Sequence, residues 1–153
     1  MREKWRVQRG RIKVHAMIDI ATDQILGLEV TDESVQDDPL FTPILDPALE
    51  ICGKAHPIRQ VLGDGGYDRI HLFNTMERRE IKSGIKTREN AATRSTGSPY
   101  QAECLWERGK SGGYREWANT TEYGMRGKIE DVFSAVKRIF GESVTASSRE
   151  GMM

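Results

Sequence analysis

Residues 60–68 read Gln-Val-Leu-Gly-Asp-Gly-Gly-Tyr-Asp. Val61 and Leu62 form a short apolar run that is stopped by Gly65 and Gly66, the pattern of a short buried strand. Asp64 stands at the end of that strand with glycine on both sides, which leaves room for a ligand to approach its carboxylate. Strand ends are where sites collect in α/β sheets; a plain turn aspartate fits the same position. Toward the C-terminus, Asp68 can cap a helix over residues 69–79, and residues 81–86 (IKSGIK) make another short strand. Toward the N-terminus, Asp38 and Pro39 read as an N-cap followed by a first-turn proline. Leu40, Phe41, Ile44, Leu45, Ala48, Leu49 and Cys52 then recur at helical spacing until Gly53, with Pro47 expected to kink or interrupt the run. Farther back, residues 11–20 and 25–31 read as two strands of a hairpin turned at residues 21–24. The order hairpin, helix, strand, helix, strand, then helices predicts a single α/β domain with a mixed sheet.

The C-terminal half is helical. Residues 87–98 read as an exposed loop. Ser98-Pro99-Tyr100-Gln101 is a capping-box pattern that opens a helix to about residue 108. Residues 109–120 read as more loop, residues 122–140 as a long final helix, and residues 141–153 as a weakly patterned tail. At about 100° per residue, Tyr123, Arg126, Glu130 and Lys137 fall on one narrow arc of that helix. Ile129, Phe133, Val136 and Phe140 form an apolar stripe beside it, so the helix is expected to bury one face and present an aromatic, two cations and a carboxylate on the next. A solvated face stitched by an i, i+4 pair of Arg126 and Glu130 satisfies the same spacing.

Composition bounds the function. The 153 residues carry 23 basic and 23 acidic side chains, which excludes a uniformly basic nucleic-acid coat. The charges are segregated: residues 1–13 hold six Lys or Arg, whereas residues 14–53 hold none and nine Asp or Glu. An acidic block between basic segments suits a site that concentrates cations while its surroundings grip phosphate; a solvated acidic face suits it too. No apolar run approaches the roughly 18 residues of a membrane span, and the basic N-terminus lacks the apolar stretch of a signal peptide. Cys52 and Cys104 have no metal-ligand spacing and are expected as free thiols in a reducing cytoplasm. His56 and His71 have no zinc spacing, and His15 reads as a strand residue.

Tyr123-x2-Arg126-x3-Glu130-x6-Lys137 matches, without a gap, the signature of insertion-sequence DDE transposases. VLGDGGYD (residues 61–68) resembles the same family's second-aspartate strand, and residues 13–38 (KVHAMIDIATDQILGLEVTDESVQDD) resemble its hairpin. Residues 84–93 and 133–152 are similar to its later segments, so the resemblance covers nearly the whole chain in the right order.

The resemblance implies a ribonuclease-H-like core, with a mixed sheet and flanking helices, in which three carboxylates hold two Mg²⁺ or Mn²⁺ ions about 4 Å apart. Hard cations of this kind take oxygen ligands. By motif position Asp64 is the second carboxylate and Glu130 the third, while Tyr123, Arg126 and Lys137 contact DNA near the cut, the two cations on phosphates. The family's first aspartate lies on a central strand before the hairpin, between the hairpin and the Asp64 strand, and no aspartate precedes Asp19 here. Residues 1–153 are therefore expected to be a single partial catalytic domain, a truncated copy without the first strand and the upstream DNA-recognition region. Asp19 is a substitute ligand candidate, although it also fits the start of the hairpin turn. The implied partners are DNA, as element ends and target, and further copies of the chain in a homo-oligomer; no membrane is implied. Two alternatives stand beside a transposase: a catalytically dead remnant that binds DNA or a full-length transposase, and a host ribonuclease-H-like nuclease.

Overall fold

The computed structural model describes residues 12–88 and 97–141. The basic residues 1–11, most of the loop expected at residues 87–98, and the tail beyond Gly141 lie outside the described residues.

The hairpin forms as its alternation dictates. Strand β1 (Ile12–Ile18) pairs antiparallel with β2 (Ile25–Asp32). Asp19 starts the turn: its carboxylate accepts from the Ala21 N–H at 3.0 Å and the Thr22 hydroxyl at 2.7 Å, and its backbone N–H reaches the Gln24 carbonyl. These bonds hold the Asp19 carboxyl below its ordinary value, the Thr22 hydroxyl contributing most.

A 3-10 turn at Asp38–Leu40 leads into helix α1 (Phe41–Cys52). The expected Asp38 cap does not form; no side-chain bond caps this end. The helix runs through Pro47 without a break. Pro47 is exposed beside the buried face and removes one backbone bond, whereas Phe41, Ile44, Leu45 and Ala48 are all buried and hold the helix down. Helix α1 lies across β2 at Gly27, where an added Cβ would collide with the Ile44 carbonyl oxygen. Only glycine permits that approach.

Strand β3 (Gln60–Gly63) and strand β4 (Lys82–Ile85) are a parallel pair joined by helix α2 (Ile70–Arg78), the crossover that parallel strands require. Leu72, Phe73 and Met76 of α2 are fully buried and meet Phe41, Leu45, Val61, Ile81 and Ile85 in one core. Helix α3 (Pro99–Lys110) starts where the capping box predicts: the Ser98 hydroxyl accepts from the Gln101 N–H at 3.1 Å. The Gln101 side chain does not return to the cap; it donates to Asp68 at 2.7 Å. A short helix α4 (Tyr114–Thr120) occupies part of the stretch expected as loop.

Asp68 is not a helix cap. It is buried, and its other carboxylate oxygen accepts from the Arg88 N–H at 2.9 Å. It thereby ties the segment after β4 to the start of α3. Asp68→Ala should strand both donors and cost about 1–3 kcal/mol. Chemical denaturation would measure it, and a midpoint unchanged from the parent would rule the cross-link out as a stabilising contact.

Two expectations are corrected. The four strands form two separate pairs rather than one mixed sheet: among the described residues β1 and β3 share no ladder bonds. The α/β class stands. The final helix does not start at residue 122 either. Residues Tyr123–Gly127 form a 3-10 turn, and helix α5 spans Lys128–Phe140. Gly124 and Gly127 disfavour α-helix there, and Glu122 enters the turn in the left-handed region, at φ 53°. Helix α5 fully buries no side chain. Ile129 and Phe133 are half-buried, but Ile139 and Phe140 are 72% and 77% exposed, because no described element covers the distal half of the stripe. No helix among the described residues is long and apolar enough to cross a membrane.

Candidate nucleic-acid interface

The parallel pairing of β3 and β4 puts the C-terminal ends of both strands on one side. Gly63 is in register with Ile85, and the Lys86 N–H donates to the Gly63 carbonyl at 3.2 Å. Asp64 therefore sits beside the segment Lys86-Thr87-Arg88. Asp64 is exposed, and one of its carboxylate oxygens accepts from the Gly66 N–H at 2.8 Å. That bond caps the following 3-10 turn and fixes the carboxyl at the strand end.

The segment carrying Lys86 and Arg88 is pinned at both sides. Asp68 holds the Arg88 backbone, and the Arg108 guanidinium donates to the Thr87 carbonyl at 2.7 Å and the Thr87 hydroxyl at 2.9 Å. Arg108 also stacks on Tyr114 and Trp117, 5.6 Å from each ring centre. Tyr114, Trp117 and Tyr123 pack together, with Trp117 and Tyr123 centred 5.1 Å apart. Gln60 of β3 donates to the Thr121 carbonyl at 3.0 Å and draws this aromatic block against the strand.

The result is a cavity of about 610 Å³ lined by Asp64, Lys86, Arg88, Tyr123, Arg126 and Asp37, with Gly65, Gly66 and Thr87. Three cations and two carboxylates converge there. Tyr123 is buried, and burial pushes its hydroxyl above the ordinary value against the opposing pull of Arg126, so it remains a protonated donor at neutral pH. Arg126 lies over the Tyr123 ring at 5.7 Å, an arrangement that steers a guanidinium without neutralising it.

Of the residues singled out in the sequence, Asp64, Tyr123 and Arg126 meet in this cavity. Glu130 and Lys137 are on α5 and exposed, and they do not line it. The 3-10 turn is the reason: it rotates Tyr123 and Arg126 out of the arc that a continuous helix would give all four. Asp19 lines a neighbouring groove together with Asp64 and Arg126.

Lys86, Arg88 and Asp37 were not legible as site residues. Two basic residues just past a short strand are the only sequence signal for the first two. Asp37 was one of nine acids in its block; the fold singles it out by placing its carboxylate 3.2 Å from the buried ring of His15. Asp37 and Asp64 both raise the Tyr67 hydroxyl, which burial pushes up to about 12.

The carboxylates test poorly as a complete two-metal centre. Among the described residues no group of three His, Cys, Asp or Glu side chains converges closely enough to hold a metal ion. Asp64 and Glu130 are both exposed oxygen donors, but Glu130 does not line the cavity that holds Asp64. A model of the family described as Transposase DDE domain matches residues 2–152 of the chain. No curated protein and no solved structure matches it.

Proposed function

The chain belongs to the transposase DDE-domain family, and from that premise we propose that its 610 Å³ cavity is where the DNA backbone lies during transposition. The observation that carries this reading is the convergence of Lys86, Arg88 and Arg126 around Asp64 at the ends of two parallel strands. Lysine and arginine side chains that line one cavity can grip neighbouring phosphates of a DNA backbone, and in the family reading Asp64 marks the phosphodiester to be attacked. The protonated Tyr123 hydroxyl supplies a further donor to a phosphate oxygen. Lys137, farther along α5, would meet the backbone outside the cavity.

The full family activity is cleavage and joining of DNA at insertion-sequence ends on a ribonuclease-H-like core. In that reading Asp64 and Glu130 are two of the ligands for Mg²⁺ or Mn²⁺, whose chemistry when bound is to activate the attacking oxygen and stabilise the leaving one. Among the described residues no three such donors are gathered. The activity assigned to the described residues alone is therefore DNA binding, with cleavage dependent on a further carboxylate. A second reading, a DNA-binding protein without cleavage of its own, is favoured by the same missing third donor among the described residues.

The test is a salt titration of duplex DNA binding with the full chain. Arg126→Ala should lower the slope of log affinity against log salt by about 0.9, the value for one lost phosphate contact. Glu130→Gln should leave that slope in place. An Arg126→Ala slope equal to the parent's would reject phosphate contact at this cavity.

A further inference from the structure

The 3-10 turn Tyr123–Gly127 carries two side chains of the cavity, Tyr123 and Arg126, yet little within it fixes its shape. The chain enters it through Glu122 in the left-handed region. It contains Gly124 and Gly127, and a Cβ added at either would meet no atom within 4 Å. Gly127 has φ −60° and ψ −21°, a conformation open to any residue. Close packing therefore does not require glycine here; what the two glycines contribute is backbone freedom.

Two long-range contacts hold this turn from outside. Upstream, the Gln60 side-chain amide of β3 donates to the Thr121 carbonyl. Downstream, the Lys128 ammonium donates to the Asp23 carboxylate at 3.0 Å, across 105 residues of sequence. Asp23 is a firm post, because it stands in the tightly bonded hairpin turn. Its N–H donates to the Asp19 carbonyl at 2.8 Å, and the Asp19 N–H donates to the Gln24 carbonyl at 2.9 Å. The Asp19 carboxylate closes the same turn on Ala21 and Thr22. Helix α5 also packs against β1. Lys128 thus ties the first residue of α5 to a rigid corner of the hairpin, two residues beyond Arg126.

We propose that Lys128 and Asp23 are positioning residues for the DNA cavity: their ion pair fixes the downstream end of the 3-10 turn and so sets where the Arg126 guanidinium stands. Ordering a loose segment at the moment of binding costs affinity, and a turn held in place beforehand avoids that cost. Lys128 then acts through Arg126 and not on a phosphate, since Asp23 already meets its charge. The proposal rests on the DNA reading of the cavity and deepens it. The Lys128 and Asp23 side chains are 34% and 55% exposed, which bounds the effect at that of a surface ion pair, about three- to fivefold in affinity.

The test is Asp23→Gly in the full chain. Asp23 has φ 59°, which glycine adopts freely, so the carboxylate is removed without straining the hairpin turn. By charge alone, removing an acidic group tightens DNA binding; positioning predicts the opposite sign. Fluorescence anisotropy with duplex DNA at low salt should show binding about three- to fivefold weaker. Adding Gly127→Ala should restore at least half of that loss, because alanine suits the backbone there, meets no neighbour and restricts the turn. Tighter or unchanged binding by Asp23→Gly would overturn the proposal. So would a loss that Gly127→Ala leaves in place, since the damage would then lie in the hairpin. Hydrogen exchange without DNA separates this proposal from the DNA reading. Residues 123–127 should exchange about threefold faster in Asp23→Gly than in the parent, and an unchanged rate would overturn the anchor. Faster exchange, combined with an Arg126→Ala salt slope equal to the parent's, would reject the DNA reading while upholding the anchor.

Discussion

A chain carrying Lys86→Ala, Arg88→Ala and Arg126→Ala together should bind duplex DNA about a thousandfold more weakly at low salt, at roughly 1.5 kcal/mol for each charged hydrogen bond lost. Its salt slope should fall by about 2.7, three times the value for one contact. The three side chains line one cavity, and the fold does not depend on them for its core: Arg88 is exposed, Lys86 and Arg126 only half-buried. Lys86 and Arg126 each lie over an aromatic ring, Tyr114 at 5.1 Å and Tyr123 at 5.7 Å. The triple variant should therefore lose about 1–2 kcal/mol of stability from those contacts, far less than its loss of DNA affinity. Fluorescence anisotropy at several salt concentrations separates the two effects. Weakened binding with the parent's salt slope would mean the cavity acts through shape and not through phosphate charge.

Phe73→Ala should destabilise the protein by about 3–5 kcal/mol, a large share of the roughly 5–15 kcal/mol that holds a domain of this size. Phe73 is fully buried in the centre of the core, tilted against Tyr100 at 6.3 Å. Its neighbours sit on α1, β3 and α3 as well as on α2, so the cavity left behind cannot close without moving several elements. Phe140→Ala is the matched contrast. Phe140 is 77% exposed at the end of α5, and its loss should change stability by no more than about 0.5 kcal/mol. Thermal melts of the two variants test the packing directly. Equal shifts in the two melts would mean that the core is not where the burial pattern places it.

Much of the architecture was legible because it is written locally. The hairpin follows from alternating apolar residues around an aspartate turn, and Asp19 makes the turn with its own carboxylate. Ser98 caps α3 as a capping pattern requires. The strand of Val61 and Leu62 ends at Asp64 because two glycines follow. Asp38 and Asp68 were misread as caps because a cap and a long-range acceptor look alike in sequence. Only the fold could show that Arg88 and Gln101, 20 and 33 residues away, reach Asp68.

For the candidate site, the sequence by itself determined the residue types and the family: an aspartate at a strand end, and a tyrosine, an arginine, a glutamate and a lysine at fixed spacing. The tertiary structure alone decided which of them meet. Spacing along a helix predicts a shared face only if the helix is continuous, and the 3-10 turn at Tyr123–Gly127 breaks that premise. Lys86 and Arg88 enter the site through the parallel register of β3 with β4, and the groove beside it lies between β1 and β3, which share no ladder bonds among the described residues. Register and strand order arise from contacts between segments far apart in the chain, where a local pattern carries no record of its partner.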